Sequence, residues 1–153
     1  MKRTTATTRS LSHARRNKGF TLIELMIAVA IIALLSMVAL PSFMQNVRKS
    51  NRTDAQTALA RTSTNLERFF SANGTYTTDV TQLGLVIDGG TGYSDDGHYV
   101  ISVAAGATGI GSSYVVTATA DADSMQSEDK DCTVLTVNSF GQRTPNPSTS
   151  RCW

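Results

Sequence analysis

The apolar positions of the 153-residue chain change their spacing twice. The first eighteen residues show no apolar run. Then "FTLIELMIAVAIIALLSMVALPSF", residues 20–43, is apolar almost without a break, and residues 25–45 carry no charged side chain. Such a run is long enough to cross a bilayer as a helix of roughly 20 residues. Beyond it the pattern becomes amphipathic: Phe43 and Val47, then Ala55, Leu59, Thr62, Leu66 and Phe69, recur at spacings of three and four. Arg48, Lys49, Arg52, Asp54, Arg61 and Glu67 lie between them, as on a helix with one apolar and one charged face. Asn73-Gly74 is a C-terminal stop signal, so a single helix is predicted over residues 20–72, roughly 80 Å long at 1.5 Å per residue. Pro41 should kink it, because proline removes one donor and clashes with the preceding turn.

Further along, "HYVISV" (98–103), "SYVVTATA" (113–120) and "CTVLTV" (132–137) carry the β-branched and aromatic enrichment of strands. Tyr99, Ile101 and Val103 fall on one side of the first, and Tyr114, Val116 and Ala118 on one side of the second. The Gly-rich "AAGATGIGSS" between them suits a hairpin connection. Leu59, Leu66, Phe69 and Phe70 are then core residues that pack the second half of the helix on this sheet. Residues 74–96 show no regular periodicity and are expected to wrap the domain edge. A long N-terminal helix followed by an antiparallel sheet is an α+β arrangement. A chain of this length cannot bury such a helix throughout, so its first half must find burial in a bilayer and later among neighbouring copies.

Composition limits the rest. With 41% hydrophobic and 17% charged residues, the chain supplies one modest globular domain. The formal net charge of +2 is unevenly distributed: six of the fourteen basic residues precede Gly19, where there is no acid. The eight basic side chains that follow face twelve acidic ones. This excess of acid argues against nucleic acid as a partner bound through bulk charge. The leading segment is basic, Ser/Thr-rich and acid-free, as in a targeting peptide. Basic residues ahead of an apolar run hold the N-terminus in the cytoplasm and send the rest outward. Ala28-Val29-Ala30, the best small-x-small cleavage signal, lies inside the run, which argues against ordinary signal cleavage behind it. A plain signal anchor leaves Glu24 unexplained, since a carboxylate within a spanning helix costs on the order of 2.5–3.5 kcal/mol.

The stretch Lys18-Gly19-Phe20-Thr21-Leu22-Ile23-Glu24, directly before the uncharged run, resembles the processing motif of type IV pilins. The resemblance implies cleavage between Gly19 and Phe20 by a prepilin peptidase, N-methylation of Phe20, and an assembly role for Glu24. It divides the chain into a leader (1–19), a transmembrane and assembly helix (20–45) and a globular pilin domain (46–153). The 19-residue leader is longer than is common in major pilins. An amine on Phe20, still cationic after one methylation, needs an anionic partner in a dry bundle, and Glu24 of a neighbouring subunit would supply it. "GTY…LGL" within residues 74–96 is similar to the corresponding stretch of PilE-like pilins. The two cysteines, Cys132 and Cys152, both fall in the exported part, where an even count favours a disulfide. In the family this resembles a C-terminal disulfide loop, exposed on the filament and often adhesive, although the bond also reads as a structural staple.

Partners implied by the resemblance are other pilin subunits, the prepilin peptidase and an inner-membrane assembly machinery. The precursor would span the inner membrane once, and the assembled protein would lie in an extracellular pilus that supports adhesion or twitching motility. Two alternatives share the architecture, a pseudopilin of a type II secretion system and a DNA-uptake pilin. No catalytic set emerges, so the chain is not read as an enzyme, and no cofactor is expected. His98 beside Asp95 and Asp96 reads as a solvated turn rather than a metal site. The acid-rich "DADSMQSEDKD" (121–131) places Met125 where calcium would need an oxygen and reads as a solvated loop. Asn51-Arg52-Thr53 and Asn73-Gly74-Thr75 match glycan acceptor spacing, a pattern frequent by chance. His13 belongs to the leader.

Overall fold

The computed structural model describes residues 19–145 and 151–153. The basic leader segment 1–18, with His13, and tail residues 146–150 lie outside the described residues. The described residues fall into two compact units, which divide between Ala39 and Leu40. In the first, the described residues are almost wholly the opening turns of helix α1, Leu22–Asn73. Among its described residues the second holds the remainder of α1 and six strands: β1 (Val86–Asp88), β2 (Thr91–Tyr93), β3 (Tyr99–Ala105), β4 (Tyr114–Ala120), β5 (Val134–Asn138) and β6 (Arg143–Thr144). They form one sheet in sequence order, every neighbouring pair antiparallel. A meander of this kind arises because antiparallel neighbours need only short connections.

Register places the apolar positions in rows across the sheet. Ile101 faces Ala118 and Ala118 faces Leu135; Val103 faces Val116 and Val116 faces Val137. On α1 the matching stripe is Ala55, Ala58, Leu59, Thr62 and Leu66, all buried. The two alanines keep the contact face of the helix small, and Leu59 and Leu66 share one buried core with Tyr99, Ile101 and Val116. Truncating either leucine would open a cavity worth about 2–5 kcal/mol. The Thr62 hydroxyl is satisfied within the helix by donating to Ala58 O at 2.7 Å.

The structure departs from the sequence expectation in several places. Phe43 is 64% exposed, so the buried stripe begins only at Ala55. Phe69 and Phe70 are half-buried rather than central; Phe70 stacks on Tyr76, which meets Tyr114 edge-on. Residues 74–96 are not irregular throughout. A 3-10 turn at Val80–Gln82, capped by Asp79, leads into the β1–β2 hairpin. The hairpin turns on Gly89 and Gly90, with φ of 54° and 85°, the left-handed pair that a two-residue loop demands. Gly92 on β2 leaves tight quarters for a side chain: a Cβ would lie 2.9 Å from Leu85 Cδ1, which would have to shift, and 3.3 Å from Ile101 O.

Candidate assembly and docking sites

Helix α1 begins at the predicted processing motif. Gly19 and Phe20 precede it and are exposed, Phe20 at 84%. Thr21 caps the first turn: its hydroxyl accepts from the Glu24 backbone N–H at 3.3 Å, and its carbonyl accepts from Leu25 N–H. Thr21-Leu22-Ile23-Glu24 therefore has the spacing of a capping box, and a carboxylate in the first turn complements the helix dipole. The Glu24 side chain is exposed and finds no partner among the described residues. Behind it, Leu25, Met26, Ile27, Val29, Ile31, Ile32, Leu34 and Leu35 are each more than half exposed. The segment is long and apolar enough to cross a membrane, and none of its most apolar stretch is buried within the chain. Pro41 lies inside the bounds of α1.

In the second unit, α1 grips the acidic loop and the tail. Arg52 sends a bidentate pair to Asp129, Nε to Oδ2 at 2.7 Å and Nη2 to Oδ1 at 2.8 Å, with both side chains largely buried. Its third nitrogen donates to Arg151 O at 2.9 Å. The bond to Asp129 is the main reason the guanidinium holds its proton above its ordinary range, against the opposing effect of burial. Asp129 also accepts from Gln126 Nε2 at 2.7 Å, and that same nitrogen reaches Arg48 O. Gln56 Nε2 donates to Cys152 O, and Arg48 pairs with Glu128. The 121–131 segment is thus not simply solvated: Gln126 and Asp129 are buried because α1 provides their partners.

Cys132 and Cys152 form a disulfide, both sulfurs within the core. It ties the end of the tail to the start of β5. Arg143 on β6 lies over the Trp153 ring, 4.8 Å from its centre, and Phe140 at the β5–β6 turn is 76% exposed. Asp95 and Asp96, the acids beside His98, take their partners elsewhere in the fold. Asp95 is engaged by Arg61 in a bidentate pair at 2.8 and 2.9 Å, and Asp96 N–H donates to Asp54. Among the described residues no group of His, Cys, Asp and Glu is arranged to hold a metal. Sequence reasoning missed Arg52, Gln126 and Asp129, which come together only once the sheet folds back onto α1.

An apolar helical segment left bare, capped at a methylation-type motif and continuous in sequence with a helix-on-sheet domain, defines the pilin class of α+β subunit. Residues 41–136 match the family model described as "Type IV minor pilin ComP, DNA uptake sequence receptor", and residues 14–40 match the prokaryotic N-terminal methylation motif. The chain belongs to this family of type IV pilins. It is 40% identical over 91 residues to the type IV major pilin protein PilA of Myxococcus xanthus, a match covering 60% of this chain and 40% of PilA. It is 34% identical over 102 residues to the fimbrial protein EcpC of Eikenella corrodens, covering 67% and 61%. A third match, 29% identical over 73 residues, is to the type II secretion system core protein G of Dickeya chrysanthemi, covering 48% of each. The matches span less than two thirds of the length of each of these relatives.

Proposed function

We propose that the chain is a structural subunit of a type IV pilus, cut between Gly19 and Phe20, methylated on Phe20 and polymerised through its apolar helix. The observation that carries this reading is the bare segment behind the Thr21 cap. A helix that no part of its own chain covers needs a bilayer before assembly and neighbouring subunits after it. Glu24, the one charged residue of 20–45, pairs with the Phe20 amine of a neighbouring copy and sets axial register, a specificity role. Pro41 frees one backbone acceptor and lets the helix bend where it leaves the membrane. The precursor spans the inner membrane once, with the leader in the cytoplasm, and reaches the cell surface in the filament.

A second reading, reception of DNA during uptake, draws support from the description of the family that matches residues 41–136. The net charge weighs against it: beyond Gly19 eight basic side chains face twelve acidic ones, and three of the eight, Arg48, Arg52 and Arg61, are held in ion pairs. Mass spectrometry of the N-terminal peptide in the fraction sheared from cells tests the main reading. A peptide beginning with methylated Phe20 is expected. Absence from that fraction, with cells holding only a form that begins before Gly19, would sink it. Sheared filaments that also shift a DNA duplex in a salt-dependent manner would favour the second.

A further inference from the structure

Five of the eight basic residues that follow Gly19 line one cleft of about 470 Å³ in the second unit: Arg48, Lys49, Arg52, Lys130 and Arg151. Three acids share the lining. Glu128 and Asp129 are taken up by Arg48 and Arg52, which leaves Asp131 as the acid facing the other three cations. Lys49, Lys130 and Arg151 are exposed and have no ion-pair partner among the described residues. In a chain whose part beyond Gly19 carries more acid than base, this is a concentrated positive site.

Its position along the chain says what meets it. With Glu24 at one headgroup level, a hydrocarbon layer of about 30 Å takes roughly 20 residues at 1.5 Å each and ends near residue 44. Gln45, which begins the cleft lining, is the next residue. This follows from chain connectivity alone, whatever the bend at Pro41. Basic residues just beyond a span on the exported side also run against the usual charge bias, so an anion at that level compensates them. We propose that this cleft binds the phosphate of an anionic phospholipid headgroup in the outer leaflet of the membrane that the chain crosses, through Lys49, Lys130 and Arg151. The bound lipid fixes the height of the globular domain over the bilayer before assembly and is given up when the subunit leaves for the filament.

The inference rests on the membrane-spanning reading above, and the experiment separates the two. The full chain is extracted from membranes into mild detergent and examined by native mass spectrometry with added phosphatidylglycerol or phosphatidylcholine. The intact chain should retain phosphatidylglycerol in preference to phosphatidylcholine, and Lys49→Ala/Lys130→Ala should weaken that retention about tenfold or more, since each surface cation contributes several-fold on an anionic membrane. Arg68→Ala, a cation elsewhere on α1, should behave as the intact chain. Equal phosphatidylglycerol retention with and without the two lysines overturns the proposal. So does displacement of the lipid by millimolar inorganic phosphate, which would make this a site for free phosphate. Loss of a dimer rather than of lipid in the double variant would assign the cleft to a second copy, and equally overturns it. A chain absent from the membrane fraction fails the spanning reading; one present there but indifferent to headgroup charge fails only this inference.

Discussion

Removing Arg52 should damage the globular domain more than any other single loss of charge. Its guanidinium is 12% and the Asp129 carboxylate 5% exposed, and they meet through two bonds of 2.7 and 2.8 Å. Arg52→Ala leaves Asp129 buried with Gln126 Nε2 as its remaining side-chain partner and also releases Arg151 O. Breaking a buried pair from one side costs about 3–5 kcal/mol. The surviving Gln126 bond puts the expected loss near the lower end, about 3 kcal/mol, a large part of the roughly 5–15 kcal/mol that holds a domain of this size together. Arg52→Lys keeps the charge but not the fork and should lose roughly 1–2 kcal/mol. Arg52→Met/Asp129→Leu, which removes both charges, should lose less than Arg52→Ala alone. Urea unfolding of the full chain in non-ionic detergent, followed by fluorescence of Trp153, the one tryptophan, measures all three; Trp153 adjoins the clamped tail. A loss below about 1 kcal/mol for Arg52→Ala, or a double variant worse than the single, would refute the argument that burial makes this pair essential.

Opening the Cys132–Cys152 bond, whose ends are 20 residues apart, should lower stability by about 3 kcal/mol on the chain-entropy argument; Cys132→Ser/Cys152→Ser unfolding at unchanged urea would contradict it. Burial, reinforced by Asp129, pushes the Tyr99 phenol up to about 12. The fold therefore keeps a proton that the unfolded chain gives up near pH 10, so the contribution is constant below that pH and lost as pH rises from 10 towards 12, by roughly 2 kcal/mol in all. The parent should lose stability relative to Tyr99→Phe over that window, and parallel curves would count against it. Glu24→Ala should leave cleavage after Gly19 largely intact but reduce filament incorporation, and a normal yield of sheared filaments by immunoblot would exclude the pairing role.

The sequence showed the longest regular features and missed the shortest. Strands β3 and β4 were legible because Tyr99, Ile101 and Val103, and Tyr114, Val116 and Ala118, alternate over five residues each, and every one of the six is buried. Strands β1 and β2 have three residues each, too few for a period. The signal present was the Gly89-Gly90 turn, which "VIDGGTGY" displays between its two short runs. Strand β6 has two residues and exists through its pairing with Thr136 and Val137. For the sites, the Gly19-Phe20-Glu24 motif is local and could be read directly. The Arg52–Asp129 clamp joins residues 77 apart, and the cleft gathers cations from both ends of the domain. A run of acids looks solvated until the opposing arginines are brought to it, and nothing in spacing announces that.

The bare segment also limits what can drive assembly. Fully burying a large aliphatic side chain is worth about 1.5–3 kcal/mol relative to water, and residues 22–40 present more than a dozen that are at least half exposed. Their combined demand exceeds the stability of an ordinary domain, so water is not a viable surrounding for this helix. Lipid meets that demand in full, and helical backbone bonds need nothing further there. A filament core made of neighbouring copies is about as apolar as the lipid it replaces, so the proposed transfer from membrane to pilus gains almost nothing from hydrophobicity. What differs between the two surroundings is close packing of side chains and the fate of Glu24, which has headgroups and water to contact in one and a neighbour's amine in the other. On the proposed assembly, selectivity for the filament would fall on shape along residues 22–40 and on a single carboxylate, which would account for a charge at the head of the most apolar segment.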